Sequence, residues 1–137
     1  MLTRGIAANT FRNMGYLIVF LGGGLGSALR YAVNLAATRA FGSGFPYGIL
    51  LINVTGSFVM GLVTGYFAFK VEASQDWRLF LTTGILGGYT TFSAFSLDVA
   101  VLYERGEVGA AAIYVLASVA ISIAGLFAGL AIVRSFT

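Results

Sequence analysis

Residues 84–96 read GILGGYTTFSAFS, and how this stretch is read decides the fold. It lies inside a long apolar run, where a membrane-spanning helix is expected. Its middle, Gly87-Gly88-Tyr89-Thr90-Thr91-Phe92-Ser93, is a poor helix former. Adjacent glycines each cost roughly 1 kcal/mol against alanine. The β-branched hydroxyl pair that follows competes for local hydrogen bonds. Within hydrocarbon, unwound backbone survives only where protein buries it or where it lines a cavity. The sequence therefore predicts a third span broken at mid-length, with freed carbonyls facing a cation and a half-helix N-terminus favouring an anion. A glycine-lined packing groove in an unbroken helix is the competing reading.

Composition places this break in a polytopic membrane protein. Of 137 residues, 58% are hydrophobic and only 9% charged, with a mean hydropathy of +0.91. Such a balance belongs to an all-α membrane protein rather than a soluble domain. The chain has no cysteine and no histidine. That excludes disulfide frameworks, thiolate sites and imidazole catalysis. Basic residues never cluster, so no nucleic-acid partner is expected.

The chain reads as a single unit over residues 1–137, with four spans near 14–37, 46–69, 77–103 and 108–133. Each is long enough for a ~30 Å hydrocarbon core, which needs ~20 residues. Residues 1–13 form a basic leader. It resembles the start of a signal peptide, but the apolar run behind it is too long, so it reads as leading into a true first span. Arg4, Arg12, Lys70, Arg78 and Arg134 fall on the side of the termini, and Arg39 and Arg105 on the other, with Arg30 inside span one near that end. This bias puts the termini in the cytoplasm. It is weak enough to suggest insertion in both orientations and an antiparallel dimer. Small-xxx-small pairs occur in every span, namely Gly22/Gly26, Gly61/Gly65, Gly84/Gly88 and Gly125/Gly129. Such pairs let helices approach closely in lipid.

Two polar stripes run inside the spans. Asn53, Ser57, Gly61 and Thr64 share one face of span two, and Tyr114, Ser118 and Ser122 one face of span four. They supply uncharged donors of the kind a dehydrated anion needs; interhelical hydrogen bonding is the better account of any single serine, and a pathway the better account of the two stripes together. Arg30 and Asp98 are the charges well inside spans. They are expected at one mouth with Asn53 and Tyr114, where Arg30 either draws anions in or pairs with Asp98. Phe92 and Phe95 follow the break three residues apart. Their rings have positive edges suited to an anion, though such rings more commonly pack or face lipid.

Three blocks carry a resemblance: GGGLGSALRY at 22–31, PYGILLINVTGSF at 46–58 and GILGGYTTFSAFS at 84–96. In order and spacing they resemble the motifs of the CrcB/Fluc fluoride channel family. The resemblance implies a passive, fluoride-selective channel, not an enzyme, that exports fluoride across the cell's inner (plasma) membrane and protects against its toxicity. It implies an antiparallel dual-topology homodimer whose broken third helices hold a structural Na⁺ at the centre. The sodium ligands would be the carbonyls of Gly87 and Thr90. The anion pathway would include Asn53, Phe92, Ser93, Phe95, Tyr114, Ser118 and Ser122, with Arg30 matching the arginine of the first block. Ile49 and Ala94 depart from the pattern, standing where the family often carries hydroxyl residues. Two other classes are a small multidrug-type exporter and a non-transporting scaffold. The exporter needs a carboxylate at depth in span one, which has none. The scaffold needs the glycines but not the polar stripes.

Overall fold

The structure, a computed structural model, describes residues 2–69 and 74–136, with side chains from residue 14 onward. The helices are α1 (Leu2–Phe41), α2 (Tyr47–Phe69), α3 (Gln75–Leu79), a π-helical segment (Phe80–Leu86), α4 (Gly87–Tyr89), α5 (Phe92–Glu104) and α6 (Val108–Arg134). Four units are long and apolar enough to cross a membrane: Met14–Phe41, Tyr47–Phe69, Gln75–Glu104 and Val108–Arg134. The expected spans thus stand, with one correction. The backbone of α1 is helical from Leu2, through the segment read as a leader. Of the residues that set the charge bias, Lys70 and the side chains of Arg4 and Arg12 lie outside the described residues.

Local chemistry sets the helix ends. Gly42 follows α1 at φ +79°, a left-handed conformation that suits glycine. Its amide closes onto the carbonyl of Thr38 at 2.9 Å. Gly106 does the same between α5 and α6 at φ +78°, its amide bonding the Tyr103 carbonyl at 2.9 Å. Pro46 stands immediately before α2, where its missing N–H costs nothing. At the other end of α2, the Arg78 guanidinium donates to the Phe67 carbonyl at 3.1 Å and lies 5.6 Å from that residue's ring centroid.

The glycine pairs match one another across two helix crossings. In the first, α1 packs on the π segment and α4. A Cβ on Gly22 would come within 2.9 Å of the Gly84 Cα, and one on Gly26 would fall on the Ile85 carbonyl. In the second, α2 packs on α6, where a Cβ on Gly61 would strike the Leu126 carbonyl. Backbone-to-backbone contact of this kind replaces the hydrophobic driving force that lipid cannot provide. A core of Ile49, Ile52, Tyr89, Phe95, Leu102, Ala111 and Tyr114 fills the space between α2, the α4–α5 junction and α6. Ile49, one of the two departures from the family pattern, therefore serves packing. Large apolar side chains such as Phe20 and Phe92 point outward, 76% and 78% exposed.

Candidate ion pathway

The third unit is interrupted at two residues. Thr90 (φ −75°, ψ 158°) and Thr91 (φ −156°, ψ 125°) are extended between α4 and α5. Gly87 is helical at φ −65°, ψ −36°, and Ser93 belongs to α5. The unwinding expected over residues 87–93 is thus narrower and displaced from the glycines. The reason is packing. A Cβ on Gly88 would lie 2.9 Å from the Gly23 Cα, so this glycine serves the α1 crossing. The β-branched threonines, which favour extended backbone, take the break.

Most of the polar groups at the break find partners, the Gly87 carbonyl being the exception. The Thr90 amide and hydroxyl both donate to the Leu86 carbonyl at 3.0 Å. The Thr91 hydroxyl accepts the Ala94 amide at 3.2 Å and so caps α5. The Thr91 amide would extend the helix by bonding the Gly87 carbonyl. It donates instead to Asn53 Oδ1 at 2.9 Å, and Asn53 Nδ2 donates back to the Thr91 carbonyl at 3.0 Å. Ser27 on α1 donates to the Gly88 carbonyl at 3.4 Å. Arg30 reaches the Thr90 carbonyl at 3.5 Å, a long contact, and Ser27 Oγ at 3.5 Å. Thr55 and Tyr89 join their hydroxyls at 3.0 Å, tying α2 to α4.

Beside the break lies a groove of about 320 Å³, walled by α2, α5 and α6. Asn53, Ser57, Phe92, Phe95, Ser118 and Ser122 all line it, and Thr90 and Thr91 form its rim. The Phe92 and Phe95 rings stand 5.4 Å apart at 47°. The hydroxyls of Ser118 and Ser122 are buried and make no hydrogen bond of ordinary geometry among the described residues, although that of Ser118 approaches the Tyr114 hydroxyl. A buried hydroxyl left unpaired is costly, so two of them beside one groove call for a ligand.

Other sequence candidates fall elsewhere. Tyr114 is fully buried, and its hydroxyl donates to Asp98 Oδ2 at 3.0 Å. Its ring touches Phe95 on one side (5.3 Å) and Phe45 on the other (5.5 Å). Phe45 and Asp98 line a second cavity of about 190 Å³, with Asn34, Thr38 and Arg105 on its wall. Tyr114 thus separates a polar mouth from the groove. Ser93 is exposed, its hydroxyl 3.3 Å from that of Thr91. The convergence of four polar groups at one mouth needs correcting. Asp98 and Tyr114 meet there, whereas Asn53 and Arg30 both turn to the break. The pairing of Arg30 with Asp98 gives way to the contacts of Arg30 on Thr90 and Ser27. Asn53 lies seven residues into α2, about 10 Å along the helix at 1.5 Å per residue, too deep for a mouth. Thr91 was missed as a site residue, and so was the Thr55–Tyr89 link. Their signal was the depth of Asn53, which matches that of the break.

The model of the family described as CrcB-like protein, camphor resistance, matches residues 17–130. The chain belongs to this CrcB-like family. A protein of Nitrobacter hamburgensis named fluoride-specific ion channel FluC 2 is 64% identical over 124 residues, which cover 90% of this chain and all of that relative. A Rhodopseudomonas palustris protein named fluoride-specific ion channel FluC is 66% identical over the same shares. One from Agrobacterium fabrum, of the same name, is 50% identical over 86% of this chain and 94% of its own. The family match spans the break, the groove and the polar mouth alike.

Proposed function

We propose that the chain is a passive, fluoride-selective channel that lets the ion leave the cell across the plasma membrane and so limits its toxicity. The observation that carries this reading is the pair of buried hydroxyls, Ser118 and Ser122, which make no hydrogen bond of ordinary geometry among the described residues and share one groove with Phe92 and Phe95. A small anion leaving water needs several weak donors and no cationic side chain in direct contact, because a tight hold would prevent release. The serine hydroxyls and the ring edges are donors of that kind, and α5 adds the positive end of its dipole. The names of the relatives, fluoride-specific ion channels, give the ion its identity. Nothing in such a pathway asks for bond chemistry, and the protein is not an enzyme. Tyr114, Ser93 and Arg30 stand beside the path and tune its approach rather than line the groove.

The working unit is an antiparallel homodimer with both breaks at mid-membrane. The exposure of Phe92, at 78%, and of Gly87 and Ser93 beside it supports a partner on that face. A second copy would cover those residues and wall the groove. The break also fits a structural sodium ion. The Gly87 carbonyl has lost its helical donor to Asn53. Among the described residues no cluster of three acidic, histidine or cysteine side chains offers a metal site. A donor set of neutral carbonyls suits a hard cation of low charge. Gly87 and Thr90 from two copies would hold it, and the ion would supply fixed positive charge at the centre.

Two tests follow. Liposomes carrying the purified protein release fluoride rapidly down its gradient, read with an ion-selective electrode, while chloride release stays near that of empty liposomes. Equal release of the two ions removes the selectivity. Replacing sodium on both sides by a bulky organic cation slows the efflux severalfold, and sodium restores it. Indifference to sodium removes the metal from Gly87 and Thr90.

A further inference from the structure

We propose that Asn53 is a positioning residue that holds the helix break open by pairing with the main chain of Thr91, and that its part in conduction is exerted through that pairing. The side-chain amide of Asn53 accepts from the Thr91 amide at 2.9 Å and donates to the Thr91 carbonyl at 3.0 Å. It thereby imitates a neighbouring peptide in a sheet, satisfying both polar groups of an extended residue that has no strand beside it. Thr91 is 9% exposed, so water is a poor substitute. Asn53 Oδ1 and one hydrogen of Nδ2 are committed to this pairing, which leaves a single hydrogen to face the groove.

The pairing fixes more than itself. It sets the orientation of the Thr91 peptide, and the Thr91 hydroxyl in turn caps α5 at Ala94. The first turn of α5 carries Phe95 into the groove and Phe92 to its open edge. It also removes the donor that would otherwise close α4 onto α5 through the Gly87 carbonyl. Without Asn53, the cheapest way to satisfy the Thr91 amide in an apolar setting is to bond Gly87 and straighten the helix. A residue that merely lined the groove would leave the break in place when replaced.

Two variants separate these cases. Asn53→Leu keeps the branching at Cγ and loses both hydrogen bonds, whereas Asn53→Asp keeps the acceptor for the Thr91 amide. The backbone conformation of Thr91, read from the Cα and Cβ chemical shifts of labelled threonine, is expected to be extended in the wild type and in Asn53→Asp. In Asn53→Leu the shifts are expected to move to helical values. Should leucine prevent assembly, Asn53→Ala gives the same reading. Fluoride release through the assembled Asn53→Leu protein is expected to fall about tenfold or more, as misplacement of groups around an ion costs rate steeply. Thr91 shifts that stay extended in Asn53→Leu overturn the proposal, and so does undiminished release. The release arm rests on the channel reading above. If the wild type itself releases no fluoride, that reading fails, and the Thr91 shifts alone decide the pairing.

Discussion

Ser118→Ala is expected to leave the fold as stable as the wild type or slightly more so, and to slow fluoride release about tenfold. The two effects run in opposite directions for one reason. Ser118 is 5% exposed and its hydroxyl, which approaches that of Tyr114, makes no hydrogen bond of ordinary geometry among the described residues. Removing a buried polar group that nothing satisfies relieves a penalty of ~1 kcal/mol or more. A hydrogen bond to a charged group is worth ~1.5–3 kcal/mol, and each ~1.4 kcal/mol on a barrier is tenfold in rate. Thermal unfolding in detergent and electrode traces from liposomes provide the two readings. Clear destabilisation without loss of rate would make Ser118 a packing residue and remove it from the path.

Gly26→Val is expected to abolish the folded protein. The added Cβ falls on the Ile85 carbonyl and lies 2.8 Å from the Tyr89 amide nitrogen, both main-chain atoms that cannot swing aside. Overpacking usually costs ~1–3 kcal/mol, and a clash with main chain belongs at or beyond the upper end. The consequence reaches the site, because the same crossing brings Ser27 and Arg30 to the carbonyls of Gly88 and Thr90. Gly24→Ala is the control. Nothing lies within 4 Å of its Cβ position, and it should fold as the wild type does. The yield of monodisperse protein from detergent extracts distinguishes the two. A well-folded Gly26→Val protein would mean that α1 does not cross the π segment as closely as described.

The helices and their crossings were legible in the sequence because each rests on a local signal. Twenty or so apolar residues make a span, Gly42 and Gly106 stop one, and glycines four apart mark a close approach. The break was legible as a region but not as a residue. Gly87 and Gly88 weaken a helix in isolation, yet tertiary contact with Gly23 keeps Gly88 helical. Local propensity named the glycines, and packing gave the break to Thr90 and Thr91. Of the expected pathway, Asn53, Phe92, Phe95, Ser118 and Ser122 meet at one groove because helical spacing fixes which residues share a face. The partner of Asp98 was not legible. Which of Arg30 and Tyr114 reaches it depends on how α1 and α6 are rotated about α5, and no pattern within one helix carries that rotation.

The bond between Asn53 and the Thr91 main chain also constrains biogenesis. When the third crossing first enters the bilayer, a bent main chain has nothing in the lipid to bond to. It must therefore insert as one uninterrupted coil, its Thr91 amide on Gly87, and acquire its bend only after docking on the second crossing. A third crossing that has not yet docked on α2 would carry no bend, whatever its sequence encodes.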